Sequence, residues 1–365
     1  MIKVKEITQL IESLFPLQIQ EEYDNSGLII GDSEKKVTGV LLTIDIDEAV
    51  IDEAIEKNLN LVISHHPIIF QAIKTICGNN RISRVIQKAI KNDISIYAAH
   101  TNLDNALSGL NKYVADLLNI SNIKPLKPLN NTLIKLVTFV PIDYAQKVRQ
   151  AIFEAGAGFI GNYDSCSFNV EGKGTFRALE NANPFIGKIG EIHTENEVRI
   201  ETIVPSYIIN SVLEAMLLAH PYEEVAYDIY PLKNSYSKFG AGIIGELYES
   251  LEDIDFLKIV KNKLKISVLK HSTLLNKKIK KVAICTGSGA FLINDAISQG
   301  AEIFISSEFK YNNFIDTQNR IIIVDAGHFE TEIFSTNIFY DIISKNFSNF
   351  ATTISNKFQN PIKYL

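Results

Sequence analysis

Three short polar motifs gather most of the side chains in this 365-residue chain that could do metal chemistry. They are Ser64-His65-His66-Pro67, His100-Thr101-Asn102-Leu103-Asp104 and Gly327-His328-Phe329-Glu330-Thr331-Glu332. Together they hold four of the seven histidines. His328 and Glu332 are four residues apart, so a helix places both on one face while Glu330 turns elsewhere. His65 and His66 are adjacent. In a strand they would point to opposite faces, so they serve one site only beyond the strand end, or by ligating two different ions. His65, His66, His328, Asp104 and Glu332 form a mixed nitrogen and oxygen set. It suits Zn, Fe or Mn and is too rich in nitrogen for Ca or Mg. Five ligands exceed the three of an ordinary catalytic zinc site, and a carboxylate can bridge two ions. The expectation is therefore two divalent metal ions per chain, with Glu332 as the bridge. For each motif taken singly, the alternative is a capping or surface role.

The elements around these motifs are those that build ligand crevices. Apolar runs at 39–44, 59–64 and 94–99 read as buried strands, separated by helical periodicity at 5–15, 46–58 and 82–92. The same alternation returns with strands at 282–285, 303–305 and 321–324, and a long terminal helix is expected from about Glu330. Such alternation indicates a largely parallel, helix-covered α/β sheet, and ligands bind at the carboxyl ends of its strands. All three motifs follow a predicted strand end. The segment between the two halves reads strand (134–140), helix (144–155), strands (164–170 and 197–204), helix (207–219) and strand (226–231). That βαββαβ order is ferredoxin-like. The predicted organisation is an N-terminal α/β lobe over 1–131, an inserted ferredoxin-like domain over 132–242 and a C-terminal α/β lobe over 243–365, since a chain this long exceeds one comfortable core.

Composition narrows the partners. A formal net charge of -6 argues against nucleic acid, which clustered basic residues bind. The run Lys277-Lys278-Ile279-Lys280-Lys281 reads as a solvated turn before a strand. No stretch approaches the ~20 apolar residues of a membrane span, and charges interrupt the N-terminal segment where a secretory signal needs an apolar run. Cys77, Cys166 and Cys285 are too few and too scattered for a disulfide framework or a thiolate zinc site, which fits a reducing cytoplasm.

Two glycine motifs read differently. Gly156-x-Gly158-x-x-Gly161 has the letters of a dinucleotide fingerprint but follows a helix and precedes a strand, the reverse of the required context. Gly287-Ser288-Gly289 follows a strand and reads as a tight turn or, beside the metal motifs, as the opening of a helix whose free N–H groups would receive an anion. His220, Glu223 and Glu224 read as a structural loop because Pro221 interrupts helical presentation. Cys166 reads as a small filler within a strand.

With Asp24-Asn25-Ser26-Gly27-Leu28 and Gly31 near the start, the three metal motifs and Thr286-Gly287-Ser288-Gly289, nearly the whole chain resembles the Nif-three-like dinuclear metal proteins, the GTP cyclohydrolase 1 type 2 family. The resemblance implies that His66 and Asp104 hold one metal, His65 and His328 the other, and Glu332 both. It also implies a PII- or CutA-like inserted domain and a homohexameric assembly. One departure is visible in Ser306-Ser307-Glu308-Phe309-Lys310-Tyr311-Asn312, where Asn312 replaces a family histidine and cannot shuttle protons. The leading expectation is a metal-dependent hydrolase that attacks a nucleotide or phosphorylated small molecule with metal-activated hydroxide, His100 serving proton transfer. The competing expectation is a metal-binding regulatory or scaffolding oligomer without turnover.

Overall fold

The computed structural model describes residues 2–348 and 350–365. The chain divides into two compact units, Met1–Pro128 with Ser237–Leu365, and Leu129–Tyr236. The two predicted α/β lobes therefore belong to one unit. The main-chain boundary also moves: Gly240-Ala241-Gly242, read as the end of the inserted segment, begins the strand Gly240–Glu252 of the first unit. On the other flank, Pro125 and Pro128 lie in the strand Ile120–Pro128. That strand is the edge of its sheet, where proline is tolerated because no ladder donor is missed.

The first unit is built on two sheets. One has the order Gly27–Ile30, Ser95–Ala98, Leu61–Ser64, Val40–Thr43 and Thr352–Ile354. All neighbours are parallel except the first pair. The three central strands are buried throughout, as expected of parallel strands covered on both faces. Helices Glu48–Glu56 and Arg81–Lys91 pack Val50, Ile51 and Val85 against Leu41, Val62 and Ile96 on one face. Both helices start at an Asx cap, Asp47 accepting from the Val50 amide and Asn80 from that of Ser83.

The other sheet runs Lys270–His271, Ile322–Asp325, Ile303–Ser307, Lys278–Ser288, Gly240–Glu252 and Ile120–Pro128. Its three inner strands from Ile322 to Ser288 are parallel. Phe256 and Val260 cover one face with Ile284, Ile305 and Val324, and Leu292 and Ala296 cover the other with Phe304 and Ile323. The terminal helix expected from Glu330 is two helices, His328–Glu332 and Ser335–Asn346.

The second unit has strands Leu133–Pro141, Ser167–Arg177, Ile192–Pro205 and Tyr227–Pro231, with helices Ala145–Glu154 and Ile209–Ala219. Its antiparallel sheet places the second strand beside the third, the third beside the first and the first beside the fourth. Val148, Ile152, Val212 and Met216 from the helices pack on Leu136, Val140 and Ile200. Cys166 is half-buried and precedes the strand rather than lying inside it. His220 is a structural element: Nε2 donates to the Phe139 carbonyl at 3.0 Å and Nδ1 accepts the Tyr222 amide at 3.1 Å. Among the described residues no helix is long and apolar enough to cross a membrane.

Pro128 pairs directly with Gly240 in the first unit's sheet, so the chain leaves and re-enters that unit at adjacent points. Replacing residues 129–236 by a short glycine-rich turn should therefore close a hairpin and leave the first unit folded. Circular dichroism and metal titration of the shortened chain check this. A folded product without metal affinity would mean that the second unit takes part in the metal site.

Candidate metal centre

Four imidazoles converge at the strand ends of the first unit, and each is held by its far nitrogen. His65 and His66 lie just past the strand Leu61–Ser64, with their amides donating to the carbonyls of Thr43 and Ile44 at 3.2 and 2.9 Å. His65 Nδ1 is 2.9 Å from the Ala99 carbonyl, which can only accept, so the proton sits on Nδ1 and the Nε2 lone pair faces inward. His66 Nδ1 meets Asp45 Oδ2 at 2.9 Å, His100 Nδ1 meets Asp24 Oδ1 at 2.7 Å, and His328 Nδ1 meets Glu308 Oε1 at 3.0 Å. Oxygen partners of this kind orient metal-ligating histidines. Asp24 is itself fixed by the amide and hydroxyl of Thr101 and by the Ser26 hydroxyl. Glu308 reaches His328 from a left-handed backbone conformation, φ 60°, which is uncommon without glycine.

The inward nitrogens surround one carboxylate. Glu332 Oε2 is 2.8 Å from His66 Nε2 and 2.9 Å from His328 Nε2, and those two nitrogens are 3.3 Å apart. Glu332 Oε1 lies 3.7 Å from His65 Nε2, which is 3.8 Å from Asp104 Oδ1. Ligands about 2.0–2.1 Å from a tetrahedral ion stand roughly 3.3 Å apart. Both trios fall near that spacing, and both, like the trio His65, His66 and His100, could hold a metal ion. His65 Nε2 lies beside Asp104 and Glu332 Oε1, and His66 Nε2 beside His328 and Glu332 Oε2, whereas the resemblance implied His66 with Asp104 and His65 with His328. His65 Nε2 is buried and has no hydrogen-bond partner, a costly state for a polar atom that an ion would relieve. His100 stands beside the two trios, its ring 5.2 Å from that of His65 and 5.4 Å from that of His66.

The carboxylates are placed by the second sheet. Gly287 has φ 63°, and a Cβ there would lie 2.0 Å from Glu332 Oε1, so glycine is what admits the carboxylate. The Gly287 amide donates to Thr331 Oγ1 at 3.1 Å, and its carbonyl accepts from the Ser306 and Ser307 hydroxyls. At Gly287-Ser288-Gly289 the strand continues through Ser288 with the Gly287 N–H already engaged, and a 3-10 turn, Ala290–Leu292, leads into the helix Ile293–Ser298. Gly289 instead permits close packing against Ser306 and Cys285. Asn111 joins the halves by donating to the Asp104 carbonyl and accepting from the Thr286 amide, both at 2.9 Å. Glu330 turns away and accepts from Asn360. Asn312 is exposed on the helix Tyr311–Asp316, and it is Glu308 from that motif that reaches the centre.

Charge in this cluster is strongly coupled. Burial disfavours protonated His66, but the Asp45 and Glu332 carboxylates outweigh it and push the imidazole up to about 10. Burial likewise opposes, and Glu332 overrides, at His328, which rises to about 9. Burial pushes Asp104 up to about 7. Glu332 is held well below the usual carboxylate range by His65, His328 and His66, against its own burial.

A cation entering at neutral pH must therefore displace protons from His66 and His328. Loading with zinc or manganese at pH 7.5 should release about two protons per chain, and apparent affinity should rise with pH toward about 9 and 10. Calorimetry in buffers of different ionisation enthalpy measures this. Uptake without proton release would mean that neither imidazole is a ligand.

The geometry agrees with likeness along the chain. The family model for Duf34/NIF3 (NGG1p interacting factor 3) matches residues 2–361. A GTP cyclohydrolase 1 type 2 homolog of Bacillus subtilis (strain 168) is 39% identical over 336 residues, covering 92% of this chain and 90% of the relative. A protein of the same name from Halalkalibacterium halodurans is 42% identical over 324 residues, covering 88% and 87%. Among solved structures, the Bacillus cereus protein related to NIF3 superposes with a TM-score of 0.87 at 37% identity, over 100% of this chain and 99% of that one. Staphylococcus aureus SA1388 superposes with a TM-score of 0.78 at 28% identity, with the same coverage. With its model spanning nearly every residue and relatives close to two-fifths identical, the chain belongs to the Duf34/NIF3 family.

Proposed function

We propose that the chain is a metal-dependent hydrolase of a nucleotide or phosphorylated small molecule. Two divalent ions would be held, one by His65, Asp104 and Glu332 Oε1, the other by His66, His328 and Glu332 Oε2. The observation that carries this reading is the single buried carboxylate of Glu332, each oxygen of which faces a different trio. Such a pair of ions, when bound, polarises an acyl or phosphoryl oxygen and lowers the pKa of a water molecule to about 7. The protein's part is to fix the donors. Ala99, Asp45 and Glu308 hold the three ligand imidazoles in the tautomer that offers Nε2.

His100 is not in either trio assigned here to an ion, although it also groups with His65 and His66. With its Nδ1 directed at Asp24, its Nε2 would accept a proton from the attacking water and return it to the leaving atom. Tyr23 and Phe70 add an apolar surface next to it. Their rings are 6.1 Å apart, Phe70 lies 6.0 Å from the His100 ring, and both are exposed. Exposed aromatic faces suit a planar base. With relatives named GTP cyclohydrolase 1 type 2 homologs, hydrolytic opening of a purine nucleotide is the first reaction to assay.

Three variants test the division of labour. Glu332→Ala should lose both metal equivalents, Asp104→Ala should lose one, and His100→Asn should keep both while losing at least about a hundredfold in turnover, the scale of general acid–base catalysis. Elemental analysis and ultraviolet assays on purine nucleotides supply the readouts. Full metal content in folded Glu332→Ala would overturn the shared-carboxylate reading, and full turnover in His100→Asn would remove the histidine from the chemistry.

A further inference from the structure

The second unit contains a cavity of about 700 Å3 on the sheet face away from its helices. That volume falls in the range of small-molecule sites. Glycine shapes its floor. On the strand Ser167–Arg177, Gly172 and Gly174 stand opposite Glu197 and Glu195. On Glu197's other side the paired residue is Pro141. The Glu197 carboxylate is thus flanked across the sheet by residues without long side chains. A Cβ at Gly174 would lie 2.1 Å from Glu197 Oε2, so this glycine makes room for the carboxylate. A Cβ at Gly172 would meet nothing within 4 Å, so packing does not require glycine there. Glycine in a strand interior often marks a bulge, a tight bend or a close approach by another group, and the pairing here runs through Gly172 without a bulge.

The walls are aromatic. Phe176 and Phe185 flank Tyr222, with ring centroids 5.9 and 6.2 Å away, and Phe139 lines the same space. Tyr222 donates its hydroxyl to Glu197 Oε1 at 2.9 Å, fixing the carboxylate at the base of the walls. Glu197 is 8% exposed. Glu223 accepts the Asn183 amide at 2.8 Å and so ties the two segments that carry Phe185 and Tyr222. Three cations also line the cavity: the Arg199 guanidinium is engaged with Glu201 at 2.9 Å, and Lys173 and Arg177 alternate along the strand with Gly172, Gly174 and Phe176, so their side chains leave from its other face.

We propose that this cavity binds a planar aromatic molecule with an amidine-like N–H edge, the edge on Glu197 and the ring between the aromatic walls. Each carboxylate oxygen has two acceptor sites, so Glu197 can receive a two-pronged donor while keeping Tyr222. The rings supply stacking and cation–π attraction in a partly desolvated place. The glycine floor lets a flat ring lie close to the backbone. A ligand of this class is recognised independently of the metal centre, because every residue invoked belongs to the second unit.

Benzamidine is the probe and benzoate its isosteric anionic control, titrated into the full chain with a chelator present and followed by calorimetry and saturation-transfer NMR. Benzamidine should bind at one saturable site in the millimolar range or tighter, and benzoate should not bind. Glu197→Gln keeps an acceptor for Tyr222 but removes the charge, and should weaken binding by about tenfold or more. Gly172→Leu should fill the floor and abolish binding while the circular dichroism spectrum stays unchanged. Absence of benzamidine binding, equal binding of benzoate, or undiminished affinity in folded Gly172→Leu would each overturn the proposal.

Discussion

A buried carboxylate facing three imidazoles is the constraint around which the first unit is organised. Glu332 is almost fully buried, and an isolated charge there would cost several kcal/mol. Its environment compensates with His66 and His328 at hydrogen-bond distance and His65 a little farther away. Two of these histidines come from residues 65–66 and the carboxylate from residue 332, so the site exists only when both sheets of the unit are formed. The Asn111 bridge between Asp104 and Thr286, and the hydrogen bonds around Gly287, serve that requirement.

The metal motifs were legible in the sequence because each is local. A strand end delivers His65 and His66, and a single helical turn delivers His328 and Glu332, as the four-residue spacing requires. The groups that orient them were harder to read. Asp45 and Glu308 act on histidines 21 and 20 residues away, and the Ala99 carbonyl carries no side-chain signal at all. The division of ligands between trios depends on which way each ring turns, and so on those partners.

The same distinction explains the fold. Parallel strands such as Leu61–Ser64 announce themselves as unbroken apolar runs, and their helices as amphipathic stretches between them. Strands built from glycine and proline, Gly240–Glu252 and Ile120–Pro128, do not. They hold their place through pairing with each other, an interaction between segments more than a hundred residues apart. Gly287 likewise answers to a distant group. A glycine before a helix suggests an anion site, whereas here it clears space for a carboxylate that arrives from a remote part of the chain.

The central claim is that one carboxylate serves two ions with a defined division of ligands. Anomalous diffraction from crystals grown with zinc, collected at the zinc edge, tests it most directly. The account predicts two peaks per chain, one bounded by His65, Asp104 and Glu332 and the other by His66, His328 and Glu332. A single peak, or two peaks that pair His66 with Asp104, would contradict it.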